Sequence, residues 1–202
     1  PTPAPAAAPA AGLTTAPPAR TSGRSGDPVV NATGHKCYKF FARLNVNPLQ
    51  QYKNNPDSEA LGFATCQLCT DGRMNCSSLL HSGKSRLIAS HIHMASGDDS
   101  NSGVSGEGPP VINFCGDNQK GMIDDQMQYP QVCQQWVNDA AENRDVPGVL
   151  VPHFNRGVTA KERVEAIAAT PGRYYFNFHT LASWTKWYPH PQGIARGVLV
   201  LQ

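Results

Sequence analysis

The chain has 202 residues, a formal net charge of +2 and only 16% charged residues. That length supports one domain with a sizeable core, not two domains beside the low-complexity segment with which the chain begins. So weak a charge balance offers neither the basic field that nucleic acid demands nor a cationic patch for a membrane surface, and no run approaches the roughly 18 apolar residues of a membrane span.

Six cysteines, sparse lysine and two acceptor sequons, Asn31-Ala-Thr33 and Asn75-Cys-Ser77, together point to an oxidising extracellular setting with N-glycans on Asn31 and Asn75. Beginning at Pro1 rather than at methionine, the chain reads as a processed, secreted product.

Pro1 to Pro18 is almost wholly Pro, Ala and Thr, a composition that builds no core and favours an extended path. Its Ala-Pro and Thr-Pro spacing resembles the glycomodules of hydroxyproline-rich, arabinogalactan-type wall proteins, which implies O-glycosylation. Arg20 to Gly34 continues as a Ser/Gly linker carrying a short β-prone piece at Pro28 to Thr33. Residues 1–34 are therefore expected to form an extended tail, and residues 35–202 the folded domain. Besides Ala and Pro, only Leu13, Val29 and Val30 in that tail can fill a pocket, so these three are the expected contacts to a neighbouring subunit. At roughly 3.1 to 3.4 Å per residue the tail would reach about 100 Å, well past a domain radius of some 16 Å.

Tyr38 to Asn47 alternates Phe40, Ala42, Leu44 and Val46 against Lys39, Phe41, Arg43 and Asn45, which predicts a strand ended by Pro48. Ala60 to Leu68 and Arg73 to Leu80 predict two more, joined by an Asp71-Gly72 hairpin turn. Cys66-Gln-Leu-Cys69 has redox or zinc spacing, but no second such pair accompanies it, so a structural disulfide role is favoured. Chain proximity suggests the pairs Cys37–Cys66, Cys69–Cys76 and Cys115–Cys133.

Leu87 to Met94 is a strand with His91 and His93 on one side. The following Gly/Ser/Asp loop, with Asp98, Asp99 and Asn101, lacks the spacing of a calcium loop. Val111 to Cys115 predicts a strand, Pro130 to Glu142 a helix, and Thr159-Ala-Lys-Glu162 a capping box that opens a second short helix ended by Pro171-Gly172. Arg173 to Leu181 then alternates Tyr174, Phe176 and Phe178 against Tyr175, Asn177 and His179, a core strand with one polar face. Ile194 to Leu201 is the last strand. Many short strands with one or two short helices predict an all-β fold, an antiparallel sandwich or barrel-like domain.

Three segments in this order, SHIHMASGDDSNSGVSGEGPPVINF, YYFNFHT and GIARGVL, resemble the chordin-type (CHRD) domain over Cys37 to Gln202. The resemblance implies a secreted β-sandwich-like domain, usually without enzymatic activity. The chain departs from that pattern at Met94-Ala95, in a cysteine-bearing helical insertion after Cys115, and in its tail.

Two histidines at i, i+2 with a third, His179, from another strand also resemble the copper site of copper-type superoxide dismutases, and neutral imidazole suits copper or zinc. The competing expectation is that His91, His93 and His179 merely hydrogen-bond Asn177, Arg196 or backbone groups in a polar layer. His81, His153 and His190 have no assigned place. No nucleophile elbow, Walker loop, HExxH or carboxylate pair is present, so catalysis would rest on the histidines alone. The leading expectation is a non-enzymatic, secreted subunit that assembles with copies of itself into a filament, the tail adding as a strand to its neighbour. The alternatives are a copper- or zinc-dependent enzyme of superoxide-dismutase type and a monomeric cell-surface binding module.

Overall fold

The computed structural model describes residues 26–46, 60–81, 87–97, 101–115, 146–151, 154–180 and 193–202. In chain order these form β1 (Val29–Val30), β2 (Lys36–Val46), β3 (Leu61–Cys69), β4 (Met74–His81), β5 (Leu87–Met94), β6 (Pro110–Cys115), β7 (Val146–Pro147), β8 (Val149–Leu150), α1 (Ala160–Ala169), β9 (Tyr174–Thr180), β10 (Ala195–Val198) and β11 (Val200–Leu201). The fold is all-β and antiparallel, with one short α-helix among the described residues. The expected helix at Pro130 to Glu142, together with Cys133, Leu13, His153 and His190, lies outside them.

Strand order runs β7-β4-β3-β2-β10-β9-β5-β6-β8, with β1 and β11 also bonded to β2. The two ends of that order meet in sequence. β7 pairs with β4 and β8 pairs with β6, and only Gly148 separates them, so one kinked segment bridges the open edges and makes the sheet barrel-like. A side chain at 148 would run into the Phe114 ring, which is why the bridge turns at glycine. Closure leaves few bare edges, the usual liability of an antiparallel sheet.

The alternations expected of β2 and β9 are met by burial. Phe40, Ala42 and Leu44 point inward on β2, as do Tyr174, Phe176 and Phe178 on β9, joined by Ile92, Ile112, Leu68, Ile194 and Leu199 in one core. Phe176 packs on Phe114 and Phe178 with ring centres 5.3 and 4.9 Å apart. α1 starts at the expected capping box: Thr159 Oγ1 accepts from Glu162 N at 3.2 Å, and Glu162 Oε2 accepts from Thr159 N at 2.7 Å. Val164 and Ile167 then bury its inner face.

Two expectations are corrected. The disulfides join Cys37 to Cys69 and Cys66 to Cys76, not Cys37 to Cys66 and Cys69 to Cys76. The β2–β3 register sets Cys37 opposite Cys69, and the β3–β4 register sets Cys66 opposite Cys76. Facing positions are what a disulfide can span. Cys115 is disulfide-bonded as well. The second correction concerns the tail. β1 pairs with β2 of its own chain, and Gly26 N donates to Gln202 O at 2.8 Å, so residues 26–34 belong to the folded unit. Val29 and Val30 keep their side chains exposed there.

Candidate metal centre

β5 and β9 are neighbours, so the histidine-bearing strands meet. The register sets Ala89 opposite His179, His91 opposite Asn177 and His93 opposite Tyr175. His91 and His93 share a face because they are two residues apart, and His179 falls diagonally beside them on the same face of the sheet. Ring centres lie 5.4 Å apart for His91 and His93, 5.0 Å for His91 and His179, and 6.0 Å for His93 and His179. One nitrogen from each ring lies within 4.8 Å of the others. Metal–nitrogen bonds of about 2.0 to 2.1 Å need donors about 3.3 to 3.6 Å apart, a contraction within reach of small side-chain rotations.

All three rings are buried, at 4%, 6% and 1% exposure for His91, His93 and His179. Burial, reinforced by the Arg196 charge and partly opposed by the bond to Gly108, pushes the His93 pKa down to about 4. Burial, with His93 beside it, pushes that of His179 down to about 3. Both rings are thus neutral at physiological pH, the form that ligates metal.

The tautomers can be read from the partners. A carbonyl only accepts, so His93 Nδ1 carries the proton it donates to Gly108 O at 2.9 Å. Its lone pair is left on Nε2, which is buried with no hydrogen-bond partner among the described residues. A Cβ at position 108 would collide with Met94 O, so only glycine lets that carbonyl come so close. The Asn177 amide lies 3.4 Å from His179 Nε2. The amide nitrogen Nδ2 is the atom that faces the ring, so its N–H donates to Nε2 and orients the imidazole.

Around the histidines lies a stack that sequence reading missed. The Tyr175 ring lies 16° from parallel to His93 with centres 5.0 Å apart, and Arg196 Cζ sits 3.6 Å from the Tyr175 ring centre. Arg196 donates from one terminal nitrogen to Gly103 O and, at 2.9 Å, to Gly106 O, fastening the covering loop. Burial lowers its pKa from the ordinary guanidinium value while Tyr175 and Glu107 hold it up, and a guanidinium stays cationic at neutral pH. Of the partners expected for the histidines, Asn177 and backbone are found; Arg196 instead bonds the loop and Tyr175. The signal available in sequence was the two-residue alternation, which puts Tyr175 and His179 on one face.

The remaining expected sites are scattered. His81 ends β4, exposed to solvent. Asn31 sits in a turn, its Oδ1 accepting from Thr33 and His35 and its Nδ2 donating to Asp71 at 3.2 Å. Asn75 is half-buried in β4 between Gln67 and Pro147. Asn101 begins a short 3-10 turn, and Asp98 and Asp99 lie outside the described residues.

Compared with known proteins, the chain matches no family model, no curated protein and no solved structure.

Proposed function

We propose that this is an extracellular β-domain whose function centres on one transition-metal ion, copper or zinc, held by His91, His93 and His179. The observation that carries this reading is His93: its proton is committed to Gly108, and its other nitrogen is buried beside two more imidazoles with no hydrogen-bond partner among the described residues. A buried acceptor left this way costs about 1 to 3 kcal/mol, and a bound metal would repay that cost. The low exposure of all three rings supports retention of a metal more than turnover of a substrate. Cross-strand disulfides and the chordin-type resemblance support the extracellular placement, since disulfides persist in oxidising compartments. The test is metal analysis of protein equilibrated with copper or zinc and then desalted. One equivalent per chain is expected, lost in a His91→Ala, His93→Ala variant; a protein that emerges metal-free would overturn the reading.

Self-assembly is a second reading, favoured by β1. Only β2 pairs with it among the described strands, and Val29 and Val30 are 57% and 60% exposed on it. Such an edge can accept a strand from another copy. Because residues 26–34 belong to the domain, the informative truncation removes Pro1 to Ser25 only. That protein should stay folded and monomeric while the full chain assembles, and a full chain that is monomeric at high concentration sinks the idea.

A further inference from the structure

Imidazole is an uncharged donor, and no carboxylate joins the three histidines among the described residues. A metal entering this buried layer therefore brings its charge without local compensation, and each uncompensated buried charge is costly. The fixed charge that the structure does place nearby has the same sign as the metal. Arg196 Cζ is 3.6 Å from the Tyr175 ring centre, which is 5.0 Å from the His93 ring centre, so the guanidinium carbon lies within about 8.6 Å of a ligand ring. It cannot swing clear, because Gly103 O and Gly106 O hold it and only 4% of the residue is exposed. Glu107, on the same loop, is exposed, so water screens its carboxylate.

We propose that the site prefers a monovalent ion, copper(I), to divalent zinc or copper(II), and that the charge of Arg196 sets much of that preference. The inference rests on the three histidines being the ligand set. Repulsion scales with the charge of the ion. With the metal about 3 Å from the His93 ring centre, hence roughly 9 to 12 Å from the guanidinium carbon, and an effective dielectric of about 20, each unit of metal charge weakens binding roughly 10- to 20-fold, so a divalent ion meets that factor twice and a monovalent ion once. Burial adds a contribution of the same sign. Three nitrogen donors suffice for copper(I), a closed-shell ion content with three ligands, whereas a divalent ion would have to draw in an anion or water. Imidazole alone does not make this choice, since among divalent ions it binds copper(II) above zinc; the charge environment makes it. Arg196 is here a positioning and selectivity residue, not a ligand.

The experiment uses the full chain, stripped of metal and kept under argon. Copper(I), maintained with ascorbate, is competed against bicinchoninate, and zinc and copper(II) are titrated in parallel with chelators of known affinity. The wild type should bind one copper(I) per chain, more tightly than zinc by a factor on the order of ten or more. Arg196→Met should narrow that ratio by roughly tenfold or more, and Arg196→Lys, which keeps the charge, should largely preserve it. Zinc bound as tightly as copper(I) by the wild type overturns the selectivity and leaves the metal site standing. Equal narrowing by Arg196→Met and Arg196→Lys overturns the role of the charge and assigns the effect to the loop contacts. A chain that binds none of the three ions overturns this inference together with the metal reading beneath it.

Discussion

Two buried polar clusters lie on opposite sides of the same pair of strands, and they are built on different rules. Tyr174 on β9 faces Met94 on β5, and the next pair along is Tyr175 with His93. On the Tyr174 side, Arg163 from α1 donates to Asn155 Oδ1 at 2.8 Å and to the Tyr174 hydroxyl at 3.3 Å, and Asn155 Nδ2 donates at 2.8 Å to both Val111 O and Val151 O. These groups pair with one another and with backbone carbonyls, tying α1, β6 and β9 together. On the Tyr175 side, three equally buried imidazoles converge and the His93 lone pair has no such partner. The same burial is thus repaid internally in one cluster, whereas in the other it leaves a His93 lone pair that the proposed metal would take up. A polar network that satisfies itself specifies the fold, and one that leaves a lone pair open among other imidazoles is a candidate binding site.

The largest expected effect separates the clusters by pH. An unfolded histidine titrates near 6.5, whereas His93 and His179 titrate at about 4 and about 3 in the fold. Between pH 6.5 and 4 the unfolded chain takes up protons that the folded chain declines, so stability falls as pH falls. The slope is about 1.4 kcal/mol per pH unit for each histidine, several kcal/mol in all by pH 4. Hydrogen bonds from Arg73 hold Asp71 low and those from Thr159 hold Glu162 low, so their stabilisation is lost as pH falls through and below the ordinary carboxylate range. Urea midpoints of metal-free protein from pH 7 to pH 4 measure this; a flat profile would contradict neutral, buried histidines.

Next in size is Arg163→Met, which removes the donor to Asn155 and Tyr174 and should cost about 3 kcal/mol. For a chain of this size that corresponds to a fall of roughly 6 to 12 °C in Tm. Metal stoichiometry should not change, because Arg163 acts on the opposite side of β9. Loss of metal in a folded Arg163→Met protein would show that the two clusters are one unit.

How much of this was legible in the sequence follows from how local each signal is. Period-two alternation marked β2 and β9, and it placed Tyr175, Asn177 and His179 together because a strand fixes side-chain direction residue by residue. The capping box at Thr159 was legible for the same reason, needing only four consecutive residues. The histidine cluster needed one further assumption, that β5 lies beside β9. The disulfides needed two registers, which chain proximity does not encode, and both predicted pairs within β2 to β4 were wrong by that margin. Barrel closure was illegible because β7 and β8 are two residues each, too short for any periodicity. The outer partners were hidden too: Gly108 offers a carbonyl, which every residue has, and Arg196 acts through loop carbonyls some 90 residues away in sequence.

The smallest expected change in stability is the most discriminating. His93→Leu removes the Nδ1–H bond, which leaves Gly108 O short of a donor, and removes the stacking on Tyr175; each loss costs about 1 kcal/mol. It also removes a buried nitrogen that has no hydrogen-bond partner in the metal-free fold, and it replaces an imidazole with an apolar side chain of similar size, a gain of comparable magnitude. The stability of the metal-free variant at pH 7 should therefore lie within about 1 kcal/mol of wild type. A histidine serving only the fold, as Arg163 does, would cost about twice that or more when replaced. Metal should raise the Tm of the wild type and leave that of His93→Leu unmoved, since a ligand stabilises only the state that binds it. The two melting experiments, with and without metal, therefore decide between a histidine kept for structure and one kept for a ligand. A severe loss of stability in metal-free His93→Leu would move His93 into the structural class.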